Sequence, residues 1–316
     1  MISYLILALF PDILNISFMI KRIIFSFLLL LLVGLGCLST QSVSDEAVQS
    51  TTAALLLQPN SMITLKQTVF GLGGVFAETV SGDDLAEYQM TIVSFNPGVS
   101  AVFSWTNTAK QETAASAAAR QAYEATDHPI GDTAKEPDPV YETIIKAGTY
   151  TTSGLAEATS VLLPAYWVEG EQNITDNSLV WLSKKQYQDL INTKTTTLSL
   201  GLFDEKISSL LGITDTVQNA LNLLQQKAAE AAKSQDVYKL TAANDWQTYS
   251  LIINGEEKTV RTISASNWFG SYVILANENN PIILKATLNP FAVGSLDLAS
   301  PLSSFLGYEI TMVVTN

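Results

Sequence analysis

The chain has 316 residues, with 17 basic against 30 acidic side chains, a formal net charge of −13, one cysteine and one histidine. An acidic balance repels phosphate, which excludes nucleic acid and anionic lipid headgroups as partners recognised through charge. One thiol excludes an intramolecular disulfide, and one thiol with one imidazole excludes a zinc site of ordinary composition.

The chain opens with a short basic pair, Lys21-Arg22, an apolar run from Ile23 to Val33, and then Gly34-Leu35-Gly36-Cys37. Basic front, apolar middle and small residues at the break have the layout of a secretory signal. These residues resemble the signal and lipobox of bacterial lipoproteins, with Gly34 standing where leucine is commonest. The resemblance implies a signal peptide over 1–36, with its true start at Met19, and acylation of the Cys37 thiol. Each acyl chain would contribute roughly 0.8 kcal/mol per buried CH₂, so two or three chains make a stable membrane anchor. An uncleaved segment from Ile23 to Leu35 would span roughly 20 Å, short of a hydrocarbon core of about 30 Å. Leu38 rather than aspartate after Cys37 favours the outer over the inner membrane of a bacterial envelope. Removal of 1–36 takes Lys21, Arg22 and Asp12 and leaves a net charge of −14.

Residues 38–52 are small and polar, and 37–58 reads as a flexible tether. A β-rich part is expected over 59–165 and an α+β part over 178–316, either as one continuous domain or as two that meet near 165–178. Alternation from Ser61 to Phe70 predicts a strand, and Tyr88–Phe95 and Val99–Trp105 flank Asn96-Pro97-Gly98 as a hairpin. Alanines predict a helix over 110–126, a loop follows over 130–139, and strands are expected over 141–153 and 159–163. A short buried strand over 178–183, a helix over 184–192, a strand over 195–200 and a helical turn over 204–211 follow. The three-four spacing of Val217, Ala220, Leu221, Leu224, Ala228 and Ala231 predicts a helix capped by Thr214 or Asp215. Asn254-Gly255 predicts a hairpin between 246–253 and 259–265. Strands over 272–276 and 282–288, joined by the loop at Asn277–Pro281, and a last strand over 308–314 complete a mainly β (α+β) chain. The expected architecture is an antiparallel, curved sheet with one long packed helix around 215–233.

Catalytic motifs are absent. There is no Gly-x-Ser-x-Gly, and His128 lies before a proline in a polar loop. Gly71-Leu72-Gly73-Gly74 lacks the lysine and helix of a phosphate loop. Two acidic groups, Asp83, Asp84 and Glu87, and Asp127, Asp132, Glu136 and Asp138, do not have calcium-loop spacing. No metal, cofactor or catalytic residue is therefore assigned. Among five tryptophans, Trp268 beside Phe269 is the pair expected to offer a ligand-stacking face. The reading is an anchored envelope lipoprotein with a non-catalytic binding or scaffolding role. Its partner, whether protein, glycan or lipid, is unassigned. Alternatives are a carrier of a lipid or other apolar ligand in a cavity between sheet and helix, and a glycan hydrolase built on two carboxylates.

Overall fold

The computed structural model describes residues 44–68, 87–126, 135–164, 167–175, 177–201, 215–289 and 307–316. Cys37, His128 and the 204–211 segment lie outside them.

Alternation becomes one large sheet, as the strand pattern predicts. In β1 (Met62–Thr68) the side chains of Ile63, Leu65 and Gln67 are buried while Lys66 faces solvent. Antiparallel partners follow in β2 (Glu87–Asn96) and β3 (Ser100–Glu112). Their turn needs Gly98, at φ +69°, and closes with the Val99 N–H donating to the Asn96 carbonyl at 3.0 Å. β4 (Tyr141–Thr152) pairs β3 along its whole length, and β6 (Gly170–Ile174) adds to it in parallel. On the other side of β1 the order runs through β14 (Gly307–Val314), β13 (Ile283–Leu288), β12 (Gly270–Leu275), β11 (Glu256–Asn267), β9 (Lys239–Ala242) and β7 (Thr195–Thr197).

β1 occupies one edge of β14 throughout. The opposite edge of β14 is shared: Tyr308 and Glu309 pair β13, while Met312 and Val313 pair β10 (Gln247–Ile253) in parallel. Because β10 also pairs β11, the ladders β10–β11–β12–β13–β14 return on themselves and curve this half of the sheet. The sheet is thus mixed rather than antiparallel throughout. A separate two-stranded ladder joins β5 (Ser160–Val161) to β8 (Ser199–Leu200).

The inner face of β2, β3 and β4 is aromatic. Phe103 stacks on Tyr150 with centroids 5.8 Å apart, and Trp167 lies 5.0 Å from Phe103 and 5.8 Å from Tyr88. Trp181 stacks on Phe95 at 5.4 Å. This face is therefore filled by the connecting chain that carries Trp167 and Trp181. α3 (Lys184–Thr193) follows, started by a capping box in which Ser183 and Gln186 satisfy each other's backbone N–H groups. α4 (Asp215–Ala231) is the expected long helix, and it buries Leu224 and Ala228 in the core.

Three further expectations need correction. The tether reading fails over 45–58: α1 (Asp45–Ala54) is a helix with Val48 and Thr52 buried. Polar bonds hold it, with the Arg261 N–H donating to Thr52 Oγ1 at 2.7 Å and Asn277 Nδ2 to the Thr52 carbonyl at 2.9 Å. Residues 178–183 are buried but form a turn, with Leu179 at φ +54° and only an isolated bridge from Trp181 to Ile282. Residues 110–112 extend β3, and the alanine helix α2 starts later (Ala114–Glu124), after its N-cap Thr113. Residues 45–316 form one compact unit, and β6 lies where a boundary was considered.

Candidate binding surface

β3 and β4 run on past the described strands that flank them. Among the described residues β2 pairs β3 as far as Asn107, and β6 pairs β4 over Gly148–Thr152. Among those residues Thr108–Glu112 and Tyr141–Ile145 have each other as their ladder partners and form a two-stranded ribbon. A lone ribbon is marginally stable in water, and here the tip is fastened by α2. Thr113 Oγ1 accepts from the Ser116 N–H at 3.3 Å, and the Thr113 N–H donates to the Val140 carbonyl at 2.8 Å. Ser116 Oγ donates to Glu112 at 2.7 Å and accepts from the Val140 N–H at 2.9 Å. Arg120 spans Glu136 at 2.9 Å and Glu112 at 3.4 Å, and these acids, Glu136 first, hold its guanidinium above its ordinary pKa.

Large apolar residues are exposed on this ribbon. Val140 is 59%, Tyr141 54% and Ile145 73% exposed, and the rest of Tyr141–Ala147 is exposed apart from half-buried Ile144. Among the described residues no strand pairs the outer edge of Tyr141–Ala147. Its outward backbone N–H and C=O groups there have no strand partner among the described residues.

A second concavity lies at the fork between β10 and β14, a groove of about 450 Å³ lined by Tyr249, Leu251, Glu257, Glu309 and Thr311 among others. Its acids are already engaged. Glu309 accepts from Tyr249 Oη at 2.6 Å and pairs with Lys285 at 3.1 Å, while Ser250 Oγ donates to Glu257 at 2.5 Å. Burial first, then the bond to Glu309 and its charge, raise the Tyr249 phenol far above its ordinary pKa.

Of the residues singled out in the sequence, Trp268 and Phe269 form the two-residue turn between β11 and β12. Phe269 is 2% exposed, and Trp268, half-buried, meets it edge-on at 5.0 Å. Trp105, Trp167 and Trp181 are buried in the core. The exposed indole is Trp246, with the Arg261 guanidinium 5.6 Å and the Lys194 ammonium 5.9 Å from its ring centre. Its only sequence signal is the polar turn Asn244-Asp245 before it. Asp83, Asp84, Asp127 and Asp132 lie outside the described residues. Glu87 pairs with Lys66 at 3.9 Å, and Asp138 with Lys135 at 3.0 Å. Among the described residues no three acids, histidines or cysteines come together as a metal site, and no helix is long and apolar enough to cross a membrane. In comparisons with known proteins, no family model, no curated protein and no solved structure matches the chain.

Proposed function

We propose that the chain is a lipid-anchored protein of the bacterial envelope, on the outer membrane rather than the inner, whose folded domain binds a protein partner and performs no catalysis. The anchor is supported by the lipobox-like Gly34-Leu35-Gly36-Cys37. The observation that carries the binding role is the β3–β4 ribbon, which exposes Val140, Tyr141 and Ile145 where a stable monomer ordinarily leaves few large apolar side chains side by side. A protein partner suits this surface because it combines apolar side chains with open backbone groups, and only another polypeptide satisfies both.

The test places a photo-crosslinking residue at position 145 and, as control, at exposed Glu230 on α4, in cells fed labelled palmitate. The expected result is one discrete protein adduct from position 145 and none from 230, with label on the wild type and none on Cys37→Ser. Adducts identical at the two positions would overturn the binding role. An unlabelled wild type would overturn the anchor.

A further inference from the structure

The edge of β4 that no described strand pairs indicates how the partner is held, an inference that rests on the binding role just proposed. We propose that the outer edge of Tyr141–Ala147 accepts an extended segment of the partner as an added antiparallel strand. That segment places an acid opposite Lys146, an apolar side chain opposite Ile144 and a base opposite Glu142.

Three observations support this. The edge continues a ladder that already takes a strand, since β6 pairs Gly148–Thr152 on the same side and stops at Gly148. The seven residues before it, Tyr141–Ala147, contain no proline and none of the devices that block edge pairing except two charges, Glu142 and Lys146. Those charges are opposite in sign, four residues apart and both exposed, so they sit on one face of the strand and fix the direction of an incoming chain. Read from its own N-terminus, an antiparallel segment meets Lys146 first and Glu142 last, which specifies acid, any residue, apolar, any residue, base. Tyr141 and Ile145 lie on the opposite face and would be covered by the partner's intervening side chains.

A second copy of the chain has this same pattern, yet it does not fit. Pairing two β4 strands with Glu142 opposite Lys146 sets residue 148 of the partner opposite Val140. The β6 strand attached at that point, from Gly170, would then fall on Val140. Val140 cannot yield easily, because the Thr113 N–H and Ser116 Oγ hold it in line with β3. A separate extended segment, with no β6 of its own, meets no such obstacle.

The probe is the peptide Thr-Glu-Thr-Ile-Thr-Lys-Thr, with the charge-reversed Thr-Lys-Thr-Ile-Thr-Glu-Thr as its counterpart, titrated into the mature full-length chain and followed by backbone amide shifts. The wild type is expected to prefer the first peptide by about tenfold, with shifts centred on 141–147. The double variant Glu142→Lys/Lys146→Glu, whose changes are confined to exposed positions, is expected to reverse that preference. Equal affinity for both peptides, shifts centred elsewhere, or a chain that dimerises through β4 and is weakened by Glu142→Lys alone would each overturn the inference. A discrete adduct at position 145 without peptide preference would sink strand addition and leave the binding role standing. Loss of both would sink the two together.

Discussion

Among the described residues, the buried hydroxyls of Tyr272 and Thr262 have no hydrogen-bond partner. A buried polar atom without a partner bears its full desolvation cost, so removing it while keeping the shape should not weaken the fold. Tyr272→Phe is expected to leave stability unchanged or raise it by up to about 1 kcal/mol, read as the midpoint of chemical denaturation. Tyr150 differs: its Oη accepts the Val168 N–H at 2.9 Å. Burial pushes the Tyr150 phenol up to about 12, and it pushes Tyr187 to about 12 as well, there with help from the charge of Glu278. Folded values above the ordinary tyrosine value of about 10 mean that the native state favours the neutral phenol. That stability is fully present below about pH 10 and is lost as pH climbs toward 12. Denaturation midpoints should therefore fall across this window in the wild type and fall less steeply in Tyr150→Phe/Tyr187→Phe. A slope unchanged by the double substitution would refute the assignment.

At the level of elements, local chemistry was legible and recruitment was not. The hairpins at Asn96-Pro97-Gly98 and Asn254-Gly255 could be read because the turn residues themselves supply the backbone angles, with Gly98 at φ +69°, Asn254 at +54° and Gly255 at +82°. α4 could be read from its apolar spacing. β6 and β9 escaped notice because five residues with one large apolar side chain, Ile174, and four mixed ones become strands only when a neighbouring edge takes them in. α1 escaped for a related reason. Its sequence buries little, and its hold on the domain comes from Arg261, Asn277 and Asn280, distant in the chain. Thr52→Val keeps the shape but leaves the Arg261 N–H without its acceptor, at an expected cost of about 1–3 kcal/mol, whereas Thr52→Ser should retain most of it. Loss of stability in Thr52→Ser with none in Thr52→Val would show that the methyl group, not the oxygen, matters. The binding surface was the least legible part. Residues 141–153 read as a strand, and which edge a strand leaves open is decided by neighbours that its own residues do not name.

The molecule as a whole is joined along β1 and β14. Met62 lies opposite Val314 and Thr68 opposite Gly307, so among the described strands the β2–β3–β4–β6 half and the β9–β13 half of the sheet are joined by a ladder between two strands far apart in sequence. Leu65 and Ile310, both fully buried and directly opposite, sit at that join. Ile310→Ala should cost about 2–5 kcal/mol and lower the denaturation midpoint of both halves together. Tryptophan fluorescence, weighted to Trp105, Trp167 and Trp181 in the first half, and far-ultraviolet dichroism should then report one coincident transition. Two separate transitions would mean that the halves fold independently. The same join sets an order of events. Contacts between remote segments form slowly, because the intervening chain must first be gathered in. Neither half gains its neighbour until residues 307–314 have been made, so this join stays open while the polypeptide lengthens. For the envelope protein proposed above, an open join would let a narrow export channel thread the chain.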